Sequence, residues 1–167
     1  MHRHTSILTI TLLMAATIAG IAHASVSGST QRFTFSSKTV RGTDLPIHVS
    51  AVGAIAARGT ARLVEHPNTT TGAFVFPRGD LNIRFVHGPT HTHPDLANCR
   101  ATIDARGTYT IRGGTGPYAR ANGTGTYTET RILIGQRNST GACIGGPNST
   151  PASVTVVARM VGTVALS

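Results

Sequence analysis

The sequence predicts an all-β protein, because apolar residues recur with a period of two and turn-forming residues interrupt them at short intervals. Clusters of Gly, Pro, Asn and Ser separate about eight to nine β-prone stretches in the 167-residue chain. No window longer than a turn or two has the apolar spacing of an amphipathic helix. Many short strands with regular turns are typical of a β-sandwich or a β-barrel.

The individual strands are predicted from local alternation. The clearest case is 81–85, where Leu81, Ile83 and Phe85 alternate with polar residues after an Arg-Gly-Asp turn. The predicted strands are 32–36, 46–57, 60–64, 73–76, 81–85, 99–104, 108–112, 124–134 and 153–166. Three polar stretches, 66–72, 88–98 and 135–151, are expected to be loops.

The first 24 residues have the order of a secretory signal peptide. A basic start with Arg3 precedes an uncharged stretch at 7–22, and Ala22-His23-Ala24 matches a cleavage site. The alternative is a transmembrane anchor, but a spanning helix needs about 20 strongly apolar residues. This stretch is shorter and is interrupted by threonines. The sequence therefore predicts a secreted protein with one domain over 25–167, beginning at Ser25, and no transmembrane segment after cleavage.

Two cysteines, Cys99 and Cys143, follow the predicted signal. An even number in an exported chain predicts a disulfide. Two free buried thiols are the alternative, and a metal site of two isolated cysteines is disfavoured. The bridge would close a loop of about 45 residues, for which chain entropy gives roughly 4 kcal/mol at most. We expect it to staple loops rather than perform redox chemistry, because no C-x-x-C pair is present.

The chain is strongly basic, with a formal net charge of +9. Such a balance suggests anionic partners, for example an envelope component. The arginines are scattered, however, and no basic run or aromatic-basic interleaving of the kind that stacks bases occurs. The distribution favours an evenly cationic, solvated surface and excludes a nucleic-acid-binding motif.

One glycine-rich segment stands out between two predicted strands. Its glycines permit positive φ and a sharp reversal after Arg112. Tyr118 and Ala121 are three residues apart, so one helical turn would place both against the end of the sheet. No Gly-Lys-Ser/Thr ending or long helix follows, so the segment is not a phosphate loop. Its distinctive residues are Gly113, Gly114, Thr115, Gly116, Tyr118, Ala121 and Gly123.

These seven residues resemble the GGTG-x-(Phe/Tyr)-x-x-Ala-x-Gly turn of the dirigent and allene oxide cyclase-like barrel superfamily. The match is sharp over about 20 residues, and the chain is also similar to exported actinobacterial members without an assigned role. The resemblance implies an antiparallel eight-stranded closed barrel with an internal cavity. The matching residues are structural in that family, so no catalytic residue carries over to this chain.

The predicted strand 124–134 contains the one arrangement that could line a binding pocket. Tyr127, Glu129 and Arg131 share one strand face, and three threonines occupy the other. If the first face points inward, a carboxylate and a guanidinium share a cavity and their pKa values are perturbed. If it points outward, they form a surface ion pair that contributes little. The sequence favours the surface interpretation.

A histidine-rich stretch provides a weak candidate for a metal site. His91 and His93 would lie on one side of an extended segment, with His87 or Asp95 as a third ligand for zinc or copper. The alternative, which the neighbouring glycine and prolines favour, is a polar loop without a metal.

Nucleophile signatures such as G-x-S-x-G and S-x-x-K are absent, and only six acidic residues occur. The sequence therefore favours a non-catalytic module that holds a small apolar ligand or an envelope partner and needs no cofactor. The alternative is a cyclase-like or dirigent-like protein that steers a reactive intermediate in the barrel. Two or more buried ionisable groups facing an open pocket would favour the alternative, and a filled or apolar interior would favour the first hypothesis.

Overall fold

The computed structural model describes residues 28–41, 43–144 and 149–166, so the predicted signal segment 1–24 lies outside the described residues. Within these ranges the chain is almost entirely extended, with one 3-10 helix at Gly116–Tyr118. The strands are β1 Ser29–Val40, β2 Thr43–Asp44, β3 Ile47–Gly53, β4 Ala57–His66, β5 Thr69–Phe76, β6 Gly79–Asp95, β7 Arg100–Gly114, β8 Asn122–Ile134, β9 Gln136–Arg137, β10 Cys143–Ile144 and β11 Ser153–Ala165.

Eight of these strands close into an antiparallel barrel. Their order is β1, β3, β4, β5, β6, β7, β8 and β11, and β11 pairs back with β1. The closing register places Phe35 of β1 opposite Val49 of β3 on one side and Ala158 of β11 on the other. The all-β class and the eight-stranded antiparallel barrel are confirmed.

Aromatic side chains fill much of the barrel interior. Phe33 lies 5.4 Å from Phe74 and 6.2 Å from Tyr109, measured between ring centroids. Phe74 is fully buried, and Phe85 continues the cluster toward Tyr127 at 5.3 Å. An eight-stranded barrel is just wide enough for side chains to fill it or for one small ligand to enter. Inward-facing Phe and Tyr residues therefore decide how much of the interior remains open.

The glycine-rich turn closes one end of the barrel. Gly113 and Gly116 adopt φ values of 69° and 56°, which side chains with a Cβ rarely adopt. The Thr115 hydroxyl accepts a hydrogen bond from the backbone N–H of Asp80 at 2.8 Å, tying the turn to β6. Tyr118 and Ala121 are both buried. The prediction that this turn packs them against the barrel end is confirmed.

The disulfide between Cys99 and Cys143 is present, with Cα atoms 5.4 Å apart. It joins the β6–β7 connection to β10, in the long segment between β8 and β11. The Arg137 guanidinium adds hydrogen bonds to the carbonyls of Gly141 and Ala97, at 2.7 Å and 3.0 Å. The predicted bridge is confirmed, and it fastens two connections that have few buried apolar side chains.

Two predicted loops are mostly strand. The stretch 66–72 is a tight hairpin between β4 and β5, and most of 88–98 continues β6 as far as Asp95. Cross-strand pairing supplies backbone hydrogen bonds that the polar composition of these stretches does not reveal. Over the described residues, no helix has the length and apolar character needed to cross a membrane.

Candidate functional site

A cavity of about 370 Å³ opens at the barrel end opposite the glycine-rich turn. We call it the cup. Small-molecule sites commonly enclose about 300–1,000 Å³, so the cup lies within the range for a small ligand. Its apolar lining side chains, which we call the apolar wall, are Phe35, Leu45, Ile47, Leu63, Phe85, Val154 and Val156. Its polar lining side chains are Ser37, Thr39, Asp44, Glu65, Thr70, His87, Tyr127, Glu129 and Arg131.

Strand β8 supplies three polar side chains of the lining, Tyr127, Glu129 and Arg131, and small residues lie beside the first two. Tyr127 pairs with Gly107 of β7, and a Cβ at Gly107 would lie 2.7 Å from the Tyr127 ring. Glu129 pairs with Ala105 on β7 and Ala158 on β11. These neighbours leave room for large polar side chains to fold inward from β8.

A hydrogen-bonded chain joins three strands beneath the cup. The Tyr127 hydroxyl lies 3.0 Å from Nδ1 of His87, and Nε2 of His87 lies 3.0 Å from the Thr70 hydroxyl. Both imidazole nitrogens are therefore engaged. Burial raises the pKa of Tyr127, the charge of Glu129 raises it further, and Arg131 lowers it. Tyr127 consequently stays protonated at neutral pH and keeps its hydroxyl proton available for the chain.

A carboxylate–guanidinium pair lies next to this chain. The Arg131 Nε donates a hydrogen bond to Oε1 of Glu129, whose side chain is only 9% exposed. A second nitrogen of Arg131 lies 3.5 Å from Oε1 of Glu65 on β4. Burial lowers the pKa of Arg131, but its bond to Glu129 and the charges of Glu129 and Glu65 outweigh this effect and raise it. Arg131 is thus a fixed cation shared by two carboxylates.

The predicted trio of Tyr127, Glu129 and Arg131 faces the barrel interior. All three line the cup, and Tyr127 and Glu129 are buried. The surface interpretation, which the sequence favours, is therefore wrong. The physical reason is the closure of the barrel, which turns this face inward and leaves the three threonines of the alternate face outside. Their role in ligand binding stays a prediction.

The structure separates the three histidines of the candidate metal site. A register shift between His87 and Thr90 inserts an extra residue into β6 opposite β7. Because one extra residue reverses the faces of a strand, His87 points into the cup while His91 and His93 are exposed outside. Nε2 of His93 lies 3.8 Å from Asp104. The described part of the chain contains no group of three or more His, Cys, Asp or Glu side chains that could hold a metal ion.

Sequence reasoning missed the partners that other strands bring to the cup. Glu65, Thr70 and His87 lie on β4, β5 and β6, and none was predicted to lie near Tyr127 or Arg131. The sequence does contain a signal for the inward position of His87, because this residue continues the alternation of Leu81, Ile83 and Phe85. The contacts of His87 and Glu65 with β8 join residues that are 40 and 66 positions apart in sequence, and they form only when the barrel closes.

We compared the chain with protein-family models, with curated proteins and with solved structures, and none of them matches it.

Proposed function

We propose that this protein is a secreted β-barrel that holds one small molecule in the cup and does not turn it over. The observation that carries the proposal is a cavity that combines apolar side chains with a hydrogen-bonded polar cluster, at the barrel end opposite the glycine-rich turn. Protein interiors normally pack to high density. A cavity that leaves several apolar side chains facing open space, with a few convergent polar groups, is characteristic of ligand sites.

The polar groups of the cup support holding rather than turnover. Glu129 and Arg131 are paired, and both nitrogens of His87 are engaged. A general base must reach its substrate proton with a free lone pair; both nitrogens of His87 and one oxygen of Glu129 are already engaged, which leaves Oε2 of Glu129 as the free acceptor among these three groups. They are suited instead to orienting a polar group of a ligand whose body rests on the apolar wall.

Ligand retention tests the proposal. The exported protein should be purified and examined by native mass spectrometry for a bound small molecule, which denaturation would then release for identification. Ser37 lines the cup, so Ser37→Trp should fill it and abolish retention. Ser36 is exposed on the outer face, so Ser36→Trp is the matched control and should retain the ligand. Equal ligand retention by the two variants would contradict the proposal. A parent protein that neither carries a small molecule nor binds one when it is added would also contradict it.

The same cluster favours a second candidate function. Tyr127 and Glu129 are buried ionisable groups beside an open pocket, which is the lining expected of a cyclase-like or dirigent-like protein. Together with the GGTG turn, this supports a barrel that steers a reactive intermediate. The test is to generate, in the presence of the protein, a short-lived achiral intermediate whose spontaneous reaction gives a racemic product. Chiral chromatography should then show one product enantiomer in excess, and a racemic product would count against this candidate.

Secretion and envelope association belong to the same proposal. The disulfide supports an oxidising compartment, and N-terminal sequencing of exported protein should begin at Ser25. Exposed arginines on the outer strand faces, such as Arg32, Arg106 and Arg159, support contact with an anionic envelope component. Cell-associated protein should then be released by high salt, and salt-independent retention would contradict ionic association.

A further inference from the structure

We infer that the ligand of the cup is a cation: a protonated amine or a quaternary ammonium group on a small apolar body. This inference rests on the proposed function, because it assumes that the cup binds a ligand. It concerns the charge of that ligand, which the proposal leaves undefined. Three features of the described residues carry it: the distribution of charge, the state of Arg131, and the character of the apolar wall.

Acidic residues are concentrated at the cup in a chain that is otherwise basic. The whole sequence contains six Asp and Glu residues against 15 Lys and Arg. Three of the six, Asp44, Glu65 and Glu129, line the cup, whereas Arg131 is the one Lys or Arg among the described residues that line it. Counted over its Asp, Glu and Arg side chains alone, the lining has a formal charge of −2. A cavity of this sign within a cationic molecule is opposite to what the composition alone would give.

Arg131 has little attraction left for an anionic ligand. Its guanidinium is held by Glu129 and reaches Glu65, so two carboxylates already compete for one cation. An incoming carboxylate or phosphate that bound the remaining N–H groups of Arg131 would lie close to both carboxylates. Like charges at such distances are strongly unfavourable where solvent is partly excluded. An anionic ligand is therefore disfavoured in the cup.

The carboxylates retain capacity to accept hydrogen bonds from a cation. Within the described ranges, the structure gives Oε2 of Glu129 no hydrogen-bond partner, because Arg131 binds Oε1. Glu65 has a 70% exposed side chain at the rim and is only distantly paired. An ammonium group placed between them would gain charge-assisted hydrogen bonds. It would also balance the excess negative charge of the lining.

The apolar wall fits the remainder of such a ligand. Phe35 and Phe85 lie in the lining together with Tyr127. Aromatic rings offer hydrophobic contact to an alkyl or aryl body and also attract cations through their π faces. The wall thus accepts an apolar body without opposing a positive head group, whereas a fully hydrated cation such as a metal ion would gain nothing from it.

Three probes of equal chain length test the charge preference: n-octylamine, 1-octanol and octanoate. They differ in charge at pH 7 but share the alkyl body. Isothermal titration calorimetry with the exported protein, freed of any co-purified molecule, should show n-octylamine binding at least about tenfold more tightly than 1-octanol, with octanoate weakest. Ser37→Trp should abolish the binding of n-octylamine, which locates the site in the cup.

A matched pair of variants tests the carboxylates. Glu65→Gln removes one rim charge and, because the side chain is exposed, should fold normally while weakening n-octylamine binding about tenfold and leaving 1-octanol unchanged. Asp104→Asn removes the same charge from the outer face of β7 and should change neither affinity. Equal loss in both variants would indicate a general field effect and would overturn the assignment to the cup.

The outcomes separate the two proposals. If 1-octanol or octanoate binds as tightly as n-octylamine and Ser37→Trp abolishes that binding, the cup binds ligands but the cation inference is wrong. If none of the probes binds and no co-purified molecule is found, the proposed function itself fails. Preferential binding of n-octylamine that survives Ser37→Trp would place the cation elsewhere and would overturn the inference.

Discussion

Replacing Arg131 with methionine should destabilise the barrel by leaving the Glu129 carboxylate without its cation. Glu129 has a 9% exposed side chain, so little water is available to replace the lost hydrogen bond. Removing one partner of a fully buried ion pair typically costs about 3–5 kcal/mol. Arg131 is itself 36% exposed and the carboxylate borders the cup, so solvent screening reduces the cost. We expect a loss of about 2 kcal/mol in the free energy of unfolding.

The measurement is urea denaturation at pH 7, followed by circular dichroism. A loss of about 2 kcal/mol also corresponds to a fall in Tm of roughly 5 °C for a domain of this size. The matched control is Arg106→Met, which removes an exposed guanidinium from the outer face of β7. Its free energy of unfolding should stay within about 0.5 kcal/mol of the parent value.

A double variant identifies the cause of the loss. Arg131→Met combined with Glu129→Gln removes the orphaned charge as well as its partner, so it should recover about 1 kcal/mol relative to Arg131→Met alone. The reasoning is refuted if Arg131→Met is as stable as the parent protein. It is also refuted if the double variant is no more stable than the single one, because the loss would then come from packing of the arginine stem.

The remaining predictions concern the closed end, the disulfide and the buried tyrosines. Ala121→Arg should prevent folding, because it buries an unpaired guanidinium in a domain whose stability margin is about 5–15 kcal/mol; a cooperative thermal transition at the parent Tm would contradict the packing role. Reduction of the Cys99–Cys143 disulfide should lower the Tm by several degrees, since the chain-entropy model gives the bridge a stabilisation of roughly 4 kcal/mol at most. The intact mass of the exported protein should be two hydrogens less than that of the reduced chain. Two freely alkylatable thiols in the native protein would exclude the bridge. Tyr109→Phe should leave the free energy of unfolding at pH 7 unchanged or raise it slightly, because the Tyr109 hydroxyl is buried without a partner among the described residues. Tyr127→Phe should lower the free energy of unfolding by about 1 kcal/mol, because it removes the hydrogen-bond partner of His87 Nδ1. Burial raises the pKa of Tyr109 to about 12, whereas a tyrosine in the unfolded chain ionises near pH 10. The protonated hydroxyl therefore contributes its full share to the free energy of unfolding below about pH 10, and this share is lost as the pH rises toward 12. The parent protein should lose stability over that range faster than Tyr109→Phe, and identical alkaline profiles would contradict this.

Local residue patterns were sufficient to predict the turn, the disulfide and most of the strands, but not the extension of β6 to Asp95 or the hairpin at 66–72. Alternation predicts a strand because successive side chains point to opposite faces, and 81–85 shows this clearly. The glycines of the turn require positive φ wherever the turn is placed. Pairing of Cys99 with Cys143 follows from their being the two cysteines of the chain. Each of these inferences uses neighbouring residues or composition and needs no knowledge of how distant strands meet.

The site depended on properties that local pattern does not contain. Strand β8 has polar residues on both faces, so its alternation separates Tyr127, Glu129 and Arg131 from the threonines without indicating which set is inside. Only closure of the barrel, through the pairing of β11 with β1, gives the strand an interior and an exterior. On the inward face, Tyr127 lies beside Gly107 and Glu129 lies beside Ala105 and Ala158, which leaves room for these two side chains.

Register decided the remainder of the site. The extra residue between His87 and Thr90 reverses the faces of β6, which sends one histidine into the cup and two to the surface. The contact between Glu65 and Arg131 spans 66 residues of sequence and exists because β4 and β8 both contribute to one closed wall. The sequence determined which residues could face together along each strand. The tertiary structure decided which of those faces met, because that depends on long-range pairing and closure rather than on period.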